Sequence, residues 1–185
     1  DNHKGNTIVF YAITLKEYMM DKNKKPRMVP ATAGGISEEE CKAVADNLSK
    51  LLADTYLLYV KTQNFHWNLT GPRFYSLHKM FEEQYEDLAD AVDDIAERIR
   101  TLDFRAPASL KEFLELASLK ENTQKIPADD MIAELLADHE QMAKLTRDYY
   151  DHADSVDDQG SADICAERMA VHEKTAWMLR ALLQN

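Results

Sequence analysis

The stretch NFHWNLTGPRFYSLHKMFEEQYEDLADAVDDIAER, residues 64–97, decides the fold. It sets two histidines and a ladder of carboxylates beside an apolar stripe of helical period. After the Gly71-Pro72 break, Phe74, Leu77, Phe81, Tyr85, Leu88, Val92, Ile95, Ile99 and Leu102 recur at spacings of three and four. That is the pattern of a long helix with one face in a bundle core. At about 100° per residue, with His78 at zero, Glu82 falls near 40°, Asp93 near 60° and Glu97 near 100°. The four therefore share one face, next to the core seam.

One such helix cannot close a metal site. At about 1.5 Å of rise per residue, Glu82 and Asp93 lie roughly 16 Å apart along the axis and His78 and Glu97 nearly 30 Å, whereas an iron ion needs ligands about 2 Å away. Two half-sites are implied. His78 and Glu97 are centred on the same point of the helix, between residues 87 and 88, as Glu82 and Asp93. Two copies packed antiparallel about a two-fold axis there would set His78 opposite Glu97 of the partner subunit, and Glu82 opposite Asp93 of the partner subunit. An isologous contact repeats itself on both sides, so the spacing predicts two equivalent sites between subunits. His66 precedes the Gly71-Pro72 break, belongs to the preceding helix, and would reach in from the side. An acidic helix face is usually only solvated, and a lone histidine is usually a core or surface residue; here five positions fall in register.

The same block, NFHWN, then Gly71-Pro72, then F-x-x-L-H with a carboxylate four residues on, then D-x-x-x-E-R, resembles the Dps proteins, or mini-ferritins. The general resemblance runs from about Ile36 to Leu183. It implies an all-α, ferritin-like four-helix bundle, with a short helix in the long crossover between helices 2 and 3, assembling as a hollow dodecamer. It further implies a di-iron site between two-fold-related subunits, with His66, His78 and Glu82 from one and Asp93 and Glu97 from the other. Fe2+ would be oxidised there to Fe3+, by H2O2 in preference to O2, and stored as ferric mineral. Zinc could substitute for iron. The equivalent of Trp67 lies beside the iron site in the family and can give up an electron. Many members carry aspartate where this chain has Glu82, and the longer side chain would shift or weaken the second iron position.

The chain has 185 residues, 45% hydrophobic and 30% charged, with 5 Gly and 5 Pro. That is enough for one sizeable helical core and too short for two ordinary domains. No run of about 18 apolar residues suggests a membrane span. Cys41 and Cys165 are too few for a disulfide framework and read as free thiols, which points to a cytoplasmic protein, nucleoid-associated if its tail binds DNA.

Residues 1–35 read as a tail and 36–185 as the bundle domain. The tail's apolar run is broken by Thr14 and Lys16, which argues against a secretion signal. Its charge sets it apart: six basic residues (Lys4, Lys16, Lys22, Lys24, Lys25, Arg27) face three acids (Asp1, Glu17, Asp21), a net of +3 in a chain of net −11, which leaves −14 on the body. An acidic body repels phosphate, so any non-specific DNA binding would come from Lys22, Lys24, Lys25 and Arg27, multiplied over the subunits. A DNA-compacting protein is accordingly the alternative function; a redox-inert Zn2+ or Mn2+ protein is a third.

Ser37 and Glu40 form a capping-box signature for a first helix, to about Asn68, on whose apolar face lie Val44, Leu48, Leu51, Leu52, Tyr56, Leu58 and Val60. Ser109 to Ala117 reads as the short crossover helix. Pro127 with Asp129 and Asp130 opens a third long helix to about Ala153, on which His139 and Glu140 read as surface. The Asp-rich loop that follows offers Asp158 or Ser161 as a cap for a last helix ending near Leu183. The resemblance instead implies aspartates around three-fold pores that draw Fe2+ inward, for which Asp154, Asp158 and Asp163 are the candidates. Glu86 or Asp90 would nucleate mineral on an inner surface.

Overall fold

The computed structural model describes residues 35–184, and these form five helices: α1 Glu38–Asn68, α2 Phe74–Thr101, α3 Leu110–Leu116, α4 Ala128–Ser155 and α5 Gln159–Leu183. Local chemistry sets their ends. Ser37 Oγ accepts from the Glu40 N–H at 3.2 Å while the Glu40 carboxylate accepts from the Ser37 N–H at 2.9 Å, so the capping box is closed. α1 stops before Gly71, whose φ of +114° lies in the region that glycine tolerates best. Ser109 caps α3, and Asp158 caps α5 by accepting from the Ser161 N–H.

The four long helices make two hairpins, α1–α2 and α4–α5, packed together. Cross-helix pairs give the directions. On α1 and α4, Asn47 meets His152 and Lys61 meets Asp138, so one index rises as the other falls and the helices are antiparallel. Tyr59 with Tyr85 and His66 with His78 show the same for α1 and α2. Hence α2 and α4 run parallel and need the long crossover that carries α3. Asp54, 1% exposed, fastens that crossover to α1: its oxygens accept from the Ser118 N–H at 2.7 Å, the Leu119 N–H at 2.8 Å and the Ser118 hydroxyl at 2.9 Å.

The core runs between the hairpins. Leu48, Leu51, Leu52, Leu58 and Phe65 of α1 meet Leu77, Phe81, Leu88, Ile95 and Ile99 of α2, closed by Ile132, Leu135 and Met142 of α4. The inward row of α5 is smaller and more polar: Ala162, Cys165, Arg168, His172, Ala176 and Leu179. Two residues of the expected apolar faces lie elsewhere. Val60 and Phe74 are each 42% exposed; Phe74 opens α2 and lays its ring on His78 at 4.9 Å.

His139 is not on the surface. It is 2% exposed, because its spacing of four from Leu135 and three from Met142 sets it in the core seam, whereas its neighbour Glu140 is exposed and pairs with Arg180. No helix among the described residues is long and apolar enough to cross a membrane. Both cysteines are free and buried, and burial pushes the Cys165 thiol up to about 12.

Candidate metal centre

The end of α1 and the start of α2 bring His66 and His78 face to face. Their rings stack at 3.7 Å between centroids and 16° between planes. Each ring is held by the other residue's main chain: His66 Nδ1 lies 2.8 Å from the His78 carbonyl oxygen and His78 Nδ1 lies 3.1 Å from that of His66. A carbonyl only accepts, so both Nδ1 atoms carry a proton, and the neutral form of each ring has its free lone pair on Nε2. That is the tautomer a metal-binding imidazole requires, with the orienting hydrogen bond already made. Phe74 backs the His78 ring, and Tyr85 of α2 stands edge-on to His66 at 5.1 Å and 77°.

Glu82 follows His78 by one turn. Its carboxyl is held below the ordinary carboxylate range, first by the hydrogen bond from Lys79 and further by the charge of that same ammonium. An ionised carboxylate beside two neutral imidazoles is a donor set suited to a divalent transition metal.

Asp93 and Glu97 lie about three and four turns beyond Glu82 along α2 and are exposed. One chain does not bring them to the histidines, and among the described residues no three His, Cys, Asp or Glu side chains converge on one point. The arrangement within the chain is that of two separated half-sets on one helix. Trp67, next to His66, is 66% exposed.

Between α2 and α5 runs a groove of about 550 Å³ whose lining includes Asp87, Asp90, Asp94, Glu97 and Glu167. Its two arginines are already engaged: Arg168 with Asp87 at 2.8 Å, and Arg98 with Asp158 and with Ser161 Oγ at 2.9 Å. Asp158 is therefore 2% exposed and occupied as a cap and ion-pair partner, while Asp154 and Asp163 are exposed. Gly160 leaves room for this tie, since a Cβ there would meet the Arg98 guanidinium at 2.9 Å.

The comparisons agree with this architecture. A family model for the ferritin-like domain matches residues 45–185. DNA protection during starvation protein 2 of Bacillus anthracis is 37% identical over 144 residues, covering 78% of this chain and 99% of that one. The chain belongs to the Dps family of mini-ferritins. Among solved Dps structures, that of Vibrio cholerae O1, described as a member of the ferritin-like diiron-carboxylate superfamily, superposes with a TM-score of 0.81 at 31% identity over 86% of this chain and 100% of that chain. The Dps of Bacillus brevis gives a TM-score of 0.77 at 36% identity, covering 79% and 98%. An uncharacterized low temperature-induced protein of Nostoc is 45% identical over 153 residues, covering 82% of this chain and 86% of its own length.

In this Dps chain the motif's final arginine, Arg98, has a role that the spacing did not disclose, tying α2 to the first turn of α5. The Asp87–Arg168 pair and the Tyr85–His66 contact were likewise unmarked in the sequence; both are cross-helix contacts between residues of unremarkable type. Lys22, Lys24, Lys25 and Arg27 lie outside the described residues.

Proposed function

We propose that the protein is a ferroxidase and iron store that takes Fe2+ as substrate at sites formed between two-fold-related copies of α2. The observation that carries the reading is the reciprocal anchoring of His66 and His78, which frees both Nε2 lone pairs beside an ionised Glu82. His66, His78 and Glu82 would bind from one subunit, and Asp93 and Glu97 of the partner subunit would complete the set. Neutral imidazoles suit Fe2+, and the carboxylates stabilise the higher charge of Fe3+ as it forms. Two ferrous ions give one electron each to H2O2, the O–O bond breaks, and two protons complete two waters. Both reactants of hydroxyl-radical chemistry are thereby consumed together.

The ferric product would collect inside a dodecamer, with Asp90 of the acidic α2–α5 groove among its first ligands. Asp154 and Asp163 would line the entry pores, a role that leaves Asp158 to its cap.

The test is stopped-flow ferric absorbance after anaerobic protein and Fe2+ are mixed with H2O2 or with O2. A fast phase in the parent, greater with peroxide and slowed about a hundredfold in His78→Ala plus Glu97→Ala, is the expected result. Oxidation no faster than in buffer would remove the catalytic reading. The basic tail on an acidic body favours a second activity, non-specific DNA binding. A gel shift that weakens with salt and disappears on deletion of residues 1–35 checks it.

A further inference from the structure

A row of aromatic rings leads away from the histidine pair through the α1–α2 contact. Tyr85 of α2 meets His66 at 5.1 Å, and Tyr59 of α1 meets Tyr85 at 6.2 Å, in each case edge to face. Tyr56, one turn before Tyr59, meets it at 5.9 Å, and Phe113 of α3 stacks on Tyr56 at 4.6 Å. Electronic coupling between rings falls steeply with the gap, so a row in van der Waals contact conducts an electron vacancy far better than isolated rings do. Phenylalanine is too hard to oxidise to carry one, so the conducting part is Tyr85, Tyr59 and Tyr56. Trp67 is 66% exposed on the single chain and has no ring contact among the described residues.

We propose that Tyr85 supplies the second electron when H2O2 arrives with only one Fe2+ in place, and that Tyr59 and Tyr56 share the vacancy. The inference rests on the ferroxidase reading. Fe2+ gives one electron and becomes Fe3+; the Tyr85 phenol gives the other together with its proton; the O–O bond breaks, and hydroxide and water leave. No free hydroxyl radical is released, and the oxidising equivalent stays in the helix hairpin as a tyrosyl radical. Tyr59 can then restore Tyr85 by passing on an electron and its own proton. The Tyr59 oxygen accepts a hydrogen bond from Gln63 Nε2 at 3.2 Å, and this bond survives oxidation because a tyrosyl oxygen is an acceptor only.

The experiment is rapid freeze-quench electron paramagnetic resonance on full-length protein given one Fe2+ per site and excess H2O2, beside stopped-flow oxidation at two Fe2+ per site. Expected is a tyrosyl signal that narrows with ring-deuterated tyrosine, is lost in Tyr85→Phe and persists in Trp67→Phe. Tyr59→Phe should confine the radical to Tyr85 and change its hyperfine splitting. Tyr85→Trp restores an oxidisable ring and should convert the signal to a tryptophanyl one, which separates loss of the donor from loss of the fold. A signal untouched by Tyr85→Phe, a tryptophanyl signal in the parent that disappears in Trp67→Phe, or no protein radical despite fast iron oxidation would each overturn the relay and leave the ferroxidase reading intact. Slow oxidation at two Fe2+ per site would instead sink the ferroxidase reading, and the relay with it.

Discussion

Two pairs of histidines bridge neighbouring antiparallel helices in this bundle, and they differ in what holds Nδ1. In the α1–α2 pair each Nδ1 donates to a main-chain carbonyl, which leaves both Nε2 atoms free for a cation. In the α4–α5 pair the two Nδ1 atoms of His139 and His172 face each other at 2.9 Å, so one donates and the other accepts. There the Nε2 atoms are buried without a hydrogen-bond partner. Burial, followed by the repulsion of Arg168, pulls His139 down to about 3, and burial, His139 and Arg168 together hold His172 well below its ordinary value. The second pair is a neutral polar element of the core. Equal residue types at equal kinds of helix contact thus divide into a pair suited to the proposed ligand role and a packing pair, according to whether an anchor for Nδ1 is at hand.

The largest test is catalytic. His66→Ala is expected to slow peroxide-driven iron oxidation by about a hundredfold. His139→Gln should change that rate by no more than about twofold, since it removes no ligand. Stopped-flow absorbance on both variants, with thermal melts to establish folding, decides it. Equal losses would break the distinction between the pairs.

Stability should show the reverse order. His172→Ala opens a cavity in the core and strips His139 of its partner, a loss of about 3 kcal/mol. His78→Ala, at the half-exposed end of the hairpin, should cost about 1 kcal/mol. Denaturant unfolding at one fixed protein concentration measures both, because subunit assembly adds a concentration-dependent term.

Acid sharpens the contrast further. His139 has an ordinary value of 6.5 and a folded value of about 3, so between these the unfolded chain binds a proton that the native state does not. Stability is therefore full above the ordinary value and declines as pH falls through this window, with a slope approaching about 1.4 kcal/mol per pH unit. His172, shifted the same way, steepens it. Melting temperatures across this range should flatten in His139→Gln plus His172→Gln; an unchanged slope would mean that the pair takes up protons in the native state.

The shared face was legible because helical arithmetic converts spacing into angle: His78, Glu82, Asp93 and Glu97 need only a continuous helix to share it, and Phe74–Thr101 is one. Helix ends were legible for a similar reason, as the Ser37–Glu40 box, Gly71-Pro72, Ser109 and Pro127 act within a few residues of themselves. What crosses between helices was not. The seam position of His139 could have been read from Ile132, Leu135, Met142 and Thr146, which repeat around it; its partner His172 could not, because the meeting depends on how α4 and α5 are rotated against each other. Asp158 had two readings; the cap to Ser161 is local and was legible, whereas its tie to Arg98, some sixty residues away, was not.

The smallest effect asks whether the carbonyl anchor alone makes a ligand. Phe74 stacks on His78 at 4.9 Å and 24°, yet Phe74 is 42% exposed and so contributes little to the core. If the anchor to the His66 carbonyl suffices, Phe74→Leu leaves His78 in place and changes little. If the stack also restrains the ring, removing it costs about 0.5–1 kcal/mol of orientation, or roughly two- to fivefold in apparent Fe2+ affinity, with the overall stability nearly unchanged. We expect the second, because the His78 Nδ1 contact, at 3.1 Å, is the longer of the two reciprocal bonds and leaves this ring the less firmly held. Anaerobic Fe2+ titration followed by calorimetry resolves a shift of that size. The α4–α5 pair offers the control, since it lies in the core without a flanking aromatic contact: Phe74→Leu should not alter the acid slope that His139 and His172 produce.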